Sequence, residues 1–309
     1  MARGRDATSE ARPGERIDLS TYVVVPVWYG CNNDCSLCML SGLKERLAPV
    51  GPARFERLLR GIAADGRFDN LVLSGAEVTT CPELDAYARM AADTGRFGRI
   101  QIQTNGRRLA DKGYLGHLLD SGVNEFFVSI QGMERAHDAI TRVPGSHRET
   151  VAGLENLASL DVNAIPNTVL TAANVHDAVP LVSLLCRIGV REIHLWNYFP
   201  MEPQDSRGLV PDLGTVSDVL SRVAEAAAPY GTALVLKSFP ECLRLEPPAV
   251  FDSWFPVTVL PDAFWRRFEE NRFGQCAHRE RCSDRECWGL SEAYVRKYGD
   301  ERERLSPIP

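Results

Sequence analysis

Cys31, Cys35 and Cys38 stand in the spacing C-x3-C-x2-C, within the run Tyr29-Gly-Cys31-Asn-Asn-Asp-Cys35-Ser-Leu-Cys38-Met39. Thiolates are the usual holders of iron–sulfur clusters, and a cubane cluster takes four ligands. This run offers three. One iron would stay open, and an open coordination position is where a metal site does chemistry. A zinc knuckle is the rival reading. Zinc usually closes its shell with a second C-x2-C half, and no Cys or His follows nearby to complete this one.

A second group of thiols lies toward the other end of the chain. Cys276, Cys282 and Cys287 are spaced C-x5-C-x4-C, and Cys242 lies upstream. Four thiolates would hold a complete second cubane. A structural zinc ion suits the same closed shell, and partial ligation completed by His278 or a substrate is a third reading. Cys186 shares an apolar helical face with Val179 and Val182 and reads as core packing.

These residues must be positioned by a scaffold, and the chain alternates strand-like with helix-like segments. That pattern predicts a mainly parallel sheet with helices outside it. Strands are expected over 21–28, 70–74, 99–104, 125–130, 163–171, 192–198 and 233–238. Gly189 is placed to stop the helix before the sixth strand, and Thr215 and Asp218 are spaced as a capping box for the helix after it. Six β–α units fit an α/β partial (β/α)6 TIM-like barrel over 21–238, with a tail at 1–20 and a small cysteine-rich extension at 239–309.

In such a barrel the apolar strand face meets the helices and the polar face lines the interior, near whose C-terminal strand ends ligands bind. The alternation selects Gln101, Gln103 and Asn105 on the third strand and Ser129 and Gln131 on the fourth. It selects Asn163 and Asn167 on the fifth, His194, Trp196 and Tyr198 on the sixth, and Lys237 on the last. The predicted lining of amides, a His, a Trp and a Lys suits a hydroxylated or charged small molecule. Lys237 and Arg244 are candidate anchors for a carboxylate.

The cysteine run resembles the signature of the radical S-adenosylmethionine (radical SAM) superfamily, with Leu37 in the apolar slot before the last cysteine. The resemblance implies that Cys31, Cys35 and Cys38 hold a [4Fe–4S] cluster whose open iron chelates SAM. It implies reductive cleavage to a 5′-deoxyadenosyl radical that abstracts a hydrogen, with electrons from a flavodoxin- or ferredoxin-type donor. The family's Gly-Gly-Glu motif, which binds the SAM amine, is matched by Gly75, Ala76 and Glu77. Ala replaces the middle Gly, which is tolerable where that φ is negative. Asn105, Ser129 and Gln131 resemble the strand-end contacts to the SAM carboxylate or ribose, Asn167 is a further candidate for ribose or substrate, and Tyr29 either packs near adenine or joins the core. By the same resemblance Cys81, just after the SAM-amine loop, is a candidate hydrogen-donating thiol, and the extension resembles a Twitch domain with an auxiliary cluster.

The size and layout are similar to small antibiotic-tailoring members, which epimerise, dehydrogenate or decarboxylate sugar-containing metabolites. Maturation of a ribosomal peptide is the alternative within enzymes, and a metal or redox sensor is the non-catalytic one. The balance of 35 basic and 41 acidic residues gives a net charge of −6, which argues against a nucleic-acid partner. No apolar run reaches membrane-spanning length. Nine cysteines and a polar first 20 residues fit a reducing cytoplasm and metal ligation rather than disulfides.

Overall fold

The computed structural model describes residues 19–243, 245, 249–259 and 262–309. The predicted tail over 1–20 therefore lies almost wholly outside the described residues, and Arg244 lies outside them too.

Among the described residues nine strands form one sheet, all of them parallel to their neighbours. They are β1 (Tyr22–Trp28), β2 (Asn70–Gly75), β3 (Arg99–Thr104), β4 (Glu125–Ser129), β5 (Asn163–Leu170), β6 (Glu192–Asn197), β7 (Ala233–Lys237), β8 (Val250–Asp252) and β9 (Val257–Thr258). The spatial order is β8-β7-β6-β5-β4-β3-β2-β1-β9. Sequential strands are neighbours from β1 to β8. The helices that make the crossovers are α1 (Pro52–Asp65), α2 (Leu84–Asp93), α3 (Lys112–Asp120), α4 (Glu134–Thr141), α5 (Ser146–Ser159), α6 (Ala178–Ile188) and α7 (Leu213–Ala227). Two more, α8 (Asp262–Glu269) and α9 (Glu292–Tyr298), belong to the cysteine-rich extension.

The outer strand face carries the core. Leu71, Leu73, Ile102, Phe126, Val128, Ile193 and Leu195 are all fully buried against the helices. Each such side chain contributes roughly 1.5–3 kcal/mol on burial. Helix ends follow local chemistry. Gly189 ends α6 with a left-handed φ of 97°. The expected capping box at the start of α7 is replaced by a simpler cap. Asp212 precedes the helix and its Oδ1 accepts from Thr215 N at 2.9 Å.

The extension differs from expectation at its start. β8 and β9 fall inside 239–309, yet they extend the barrel sheet at its two edges. Strands of three and two residues are too short to show an alternation.

Candidate metal and radical site

The three N-terminal thiols lie on the loop that leaves the C-terminal end of β1. Neighbouring elements pin that loop through named bonds. Asn105 Nδ2, just past β3, donates to Asn32 Oδ1 at 2.7 Å. Arg107 Nη1 donates to Asn32 O at 2.7 Å and to Asn33 Oδ1 at 2.8 Å, and its Nε bonds Glu149 on α5. The amides of Asp34 and Ser36 donate to the last carbonyls of α4, those of Thr141 and Ile140. Arg207 Nη1 donates to Ser36 O and Arg267 Nη1, from α8, to Ser41 O.

Cys31 is exposed, and Cys35 and Cys38 are half-buried. Burial, followed by the fields of Cys38 and Cys31, pushes the Cys35 thiol up to about 12. Burial raises Cys31 as well, against a 3.3 Å bond that Asn33 N donates to its Sγ. The sulfurs share one electrostatic neighbourhood, and in it Cys31 and Cys35 resist ionising. A bound cation removes that resistance, because metal ligation deprotonates a thiol outright. This donor set fits a thiolate-bound iron–sulfur cluster.

Beside the loop, β2 ends in Gly75, Ala76 and Glu77. Gly75 has a φ of 139°, and a Cβ there would stand 1.9 Å from Trp28 O. No other residue type fits that approach. Ala76 is not among the residues of positive φ, which is the condition its methyl group needs. Ala76 N and Glu77 N donate to Trp28 O and Gly30 O, so this segment is sewn to the start of the cysteine loop.

The side chain of Glu77 departs from expectation. It is fully buried. Its Oε1 accepts from Thr79 N, Thr79 Oγ1 and Thr104 Oγ1, and its Oε2 from Asn105 N at 2.6 Å. Burial still raises its pKa. The carboxylate therefore ties the ends of β2 and β3 together. Gln131 plays a comparable role, since its Oε1 accepts from Val169 N on β5 at 3.0 Å. Ser129 is half-buried at the end of β4, in register with Asn167. Asn167 is 7% exposed with Oδ1 unpartnered.

Several alternation picks lie on the inner face but serve other ends. Gln101 Nε2 donates to Glu125 Oε1 at 2.7 Å, and Asn163 Nδ2 bonds Glu125 Oε2, which Arg99 also pairs. This network closes the N-terminal end of the barrel, away from the cysteine loop. Gln103 is half-buried beside Phe127. Lys237 is 3% exposed, ion-paired with Asp252 on β8, and bonded to Trp254 O at 2.6 Å. Its charge is committed within the protein, which corrects its assignment as a substrate anchor. Tyr198 packs in a cluster with Val210, Leu213 and Leu243, against which Val169 of β5 and Leu37 of the cysteine loop also pack. Tyr29 is buried. Cys81 and Cys186 both sit in the sheet–helix core, so Cys81 lies away from the inner face.

The four thiols of the extension come together. Cys242, Cys276, Cys282 and Cys287 line one cavity with Leu305, Ser306, Pro307 and Ile308. Burial and the fields of Cys287 and Cys276 raise Cys242. Gly289 N donates to Cys287 Sγ at 3.3 Å and Ile308 N to Cys282 Sγ at 3.4 Å. His278 is occupied by Arg302 O and Arg281, which removes the reading that it completes a shell. Among the described residues, no three His, Cys, Asp or Glu side chains converge on the point of a single metal ion.

Sequence reasoning missed Arg107, Glu125, Glu192 and Asp252. Only Arg107 left a signal, by its place two residues after Asn105.

A parallel α/β barrel with three thiols on the loop after its first strand defines a barrel built around a thiolate-bound metal centre. The family described as the Radical SAM superfamily matches residues 25–183, just over half of the chain. The chain belongs to the radical SAM superfamily, whose cofactors are a [4Fe–4S] cluster and SAM. It is 29% identical over 175 residues to the AdoMet-dependent heme synthase of Methanosarcina barkeri, covering 55% of this chain and 48% of that one. It is 27% identical over 180 residues to a Metallosphaera sedula protein described as "Probable GTP 3',8-cyclase", covering 57% and 55%. The chain thus spans about half the length of the curated relatives it matches. The structure of Streptococcus suis SuiB bound to the precursor peptide SuiA shares the fold with TM-score 0.57 at 18% identity, over 69% of this chain and 47% of that one. No described helix is long and apolar enough to cross a membrane.

Proposed function

We propose that this chain is a radical SAM enzyme acting on a hydroxylated, sugar-containing small molecule, by hydrogen abstraction leading to epimerisation, dehydrogenation or decarboxylation. When bound, the cluster and SAM supply a 5′-deoxyadenosyl radical. Cys31, Cys35 and Cys38 are the proposed ligands of the open cluster. The segment Gly75, Ala76 and Glu77, with Asn105, Ser129 and Gln131, is the proposed wall of the SAM pocket, and Asn167 is proposed to face the substrate. Cys242, Cys276, Cys282 and Cys287 are the proposed ligands of an auxiliary cluster, and their shared cavity supports that reading.

The observation that carries the proposal is the shared field of the three N-terminal thiols on a loop fastened by Asn105 and Arg107. Anaerobic reconstitution tests it. About eight irons per chain are expected from two cubanes, with deoxyadenosine formed from SAM after reduction. Stoichiometric zinc without deoxyadenosine would support a metal sensor instead.

A second reading rests on the sheet edge. At β9, Val257 and Val259 are exposed, and so is nearby Trp254. An open strand edge with apolar side chains suits an extended peptide, and SuiB is a neighbour in fold that was solved with a precursor peptide. A short cysteine-rich gene beside this one would favour the peptide reading. Neighbouring glycosyltransferases and aminotransferases would favour the sugar reading.

A further inference from the structure

The inner wall between β5 and β6 holds polar atoms that the protein itself does not complete. Asn167 and His194 are partners in the strand register, and each is 7% exposed. Asn167 Oδ1, His194 Nδ1 and Trp196 Nε1 are all buried, and none has a hydrogen-bond partner among the described residues. Buried polar atoms are nearly always paired, so three orphans on two adjacent strands point to a missing ligand.

Their chemistry is directional. Asn167 Oδ1 only accepts, and Trp196 Nε1 only donates. Glu192 Oε1 lies 2.5 Å from His194 Nε2. A carboxylate at that nitrogen fixes the imidazole proton there and leaves Nδ1 as an acceptor. Aromatic rings frame the group. Phe127 meets His194 edge-on at 5.2 Å and Trp196 at 6.2 Å, and Phe255 meets Trp196 at 5.1 Å. Lys237, the cation expected to draw a carboxylate here, is committed to Asp252.

We propose that Asn167, His194 and Trp196 form a recognition socket for a ring bearing hydroxyl or amine groups. The two acceptors take its O–H or N–H donors, and the indole N–H meets a hydroxyl or ring oxygen. The socket rests on the small-molecule reading above. Within that reading it selects an aminated or hydroxylated ring over a sugar acid bound here by its carboxylate.

Saturation-transfer NMR on the anaerobically reconstituted full chain with SAM tests the socket. Glucosamine is the donor-rich probe, glucuronate the acidic comparator, and deoxyadenosine formation is measured on the same samples. Transfer to glucosamine is expected to exceed that to glucuronate several-fold. His194→Phe keeps a ring and removes Nδ1, and it is expected to abolish the glucosamine signal. Glu192→Gln releases the tautomer and is expected to weaken the signal several-fold. Trp196→Phe deletes the donor while keeping an aromatic ring, and serves if His194→Phe fails to fold. Equal or stronger transfer to glucuronate overturns the socket. So does the absence of transfer to either sugar from protein that still makes deoxyadenosine, or unchanged glucosamine binding in folded His194→Phe. Binding that depends on His194 without any deoxyadenosine supports the socket and overturns the radical reading instead.

Discussion

Burial and the neighbouring sulfurs push the Cys35 thiol up to about 12, so at neutral pH its proton leaves when a cation takes its place. The second thiol group adds a different control. Ile308 N donates to Cys282 Sγ at 3.4 Å. Hydrogen bonds to cluster sulfurs help set the potential, and they favour the more negative, reduced form. Ile308→Pro deletes that donor and keeps an apolar side chain at the cavity. Losing about 1 kcal/mol of hydrogen bonding corresponds to about 40 mV for one electron. In an EPR redox titration the potential of the proposed auxiliary cluster should fall by that order in Ile308→Pro, while that of the first cluster stays put. His137 gives a pH prediction at the same scale. Its Nδ1 accepts from Gln131 N at 3.0 Å, and burial holds its pKa down at about 4. The unfolded chain titrates this group near its ordinary value of about 6.5, so between the two values it binds more protons than the fold does. Stability from His137 is therefore full above about 6.5 and declines as the pH falls toward about 4. The loss approaches about 3 kcal/mol. Denaturant midpoints across that window should show a shallower decline in His137→Asn than in the wild type.

At the scale of elements, the site depends on strand ends being locked to the cysteine loop. Gly75→Ala would drive a methyl group to 1.9 Å from Trp28 O at a φ of 139°. Denaturant titration should show a loss of about 3 kcal/mol or more. Arg107 joins the end of β3 to Asn32, Asn33 and α5. Arg107→Ala should lower iron at the first site well below the wild type after mild chelation, with the second site unchanged. Equal retention would show that the loop holds its shape without this clamp. The strand faces behind these clamps were legible in the sequence because helices cover one face and leave the other polar. Phe126 and Val128 went outward while Phe127 and Ser129 went inward, as period two requires. Depth along a strand was not legible. Gln101 and Asn163 share a face with Gln103 and Asn167 yet meet Glu125 at the far end of the barrel. The fate of Lys237 was hidden for another reason: its partner Asp252 sits on a strand of three residues, which carries no pattern. The internal bonds of Glu77 were not legible, because Thr79 is unremarkable beside it and Thr104 is distant from it in sequence.

Across the whole molecule, the extension is packed onto the barrel and contributes to it. Its strands β8 and β9 lengthen the sheet, and Arg267 on α8 reaches the cysteine loop. Leu290 and Tyr294 pack against Tyr198, Val210 and Leu213, which joins the second thiol site to the barrel wall. Aromatic contacts run from Trp196 through Phe255 to Trp288, the residue after Cys287, with centroid separations of 5.1 and 5.0 Å. Both proposed clusters and the proposed socket thus belong to one packed body. The central claim is that the first three thiols hold an iron–sulfur cluster that cleaves SAM. Deoxyadenosine formed by the anaerobic, reconstituted and reduced chain measures it most directly, with Cys35→Ala as the control. The account predicts deoxyadenosine from the wild type and none from Cys35→Ala. Iron-replete wild type that makes none, or a variant that makes as much, would contradict it.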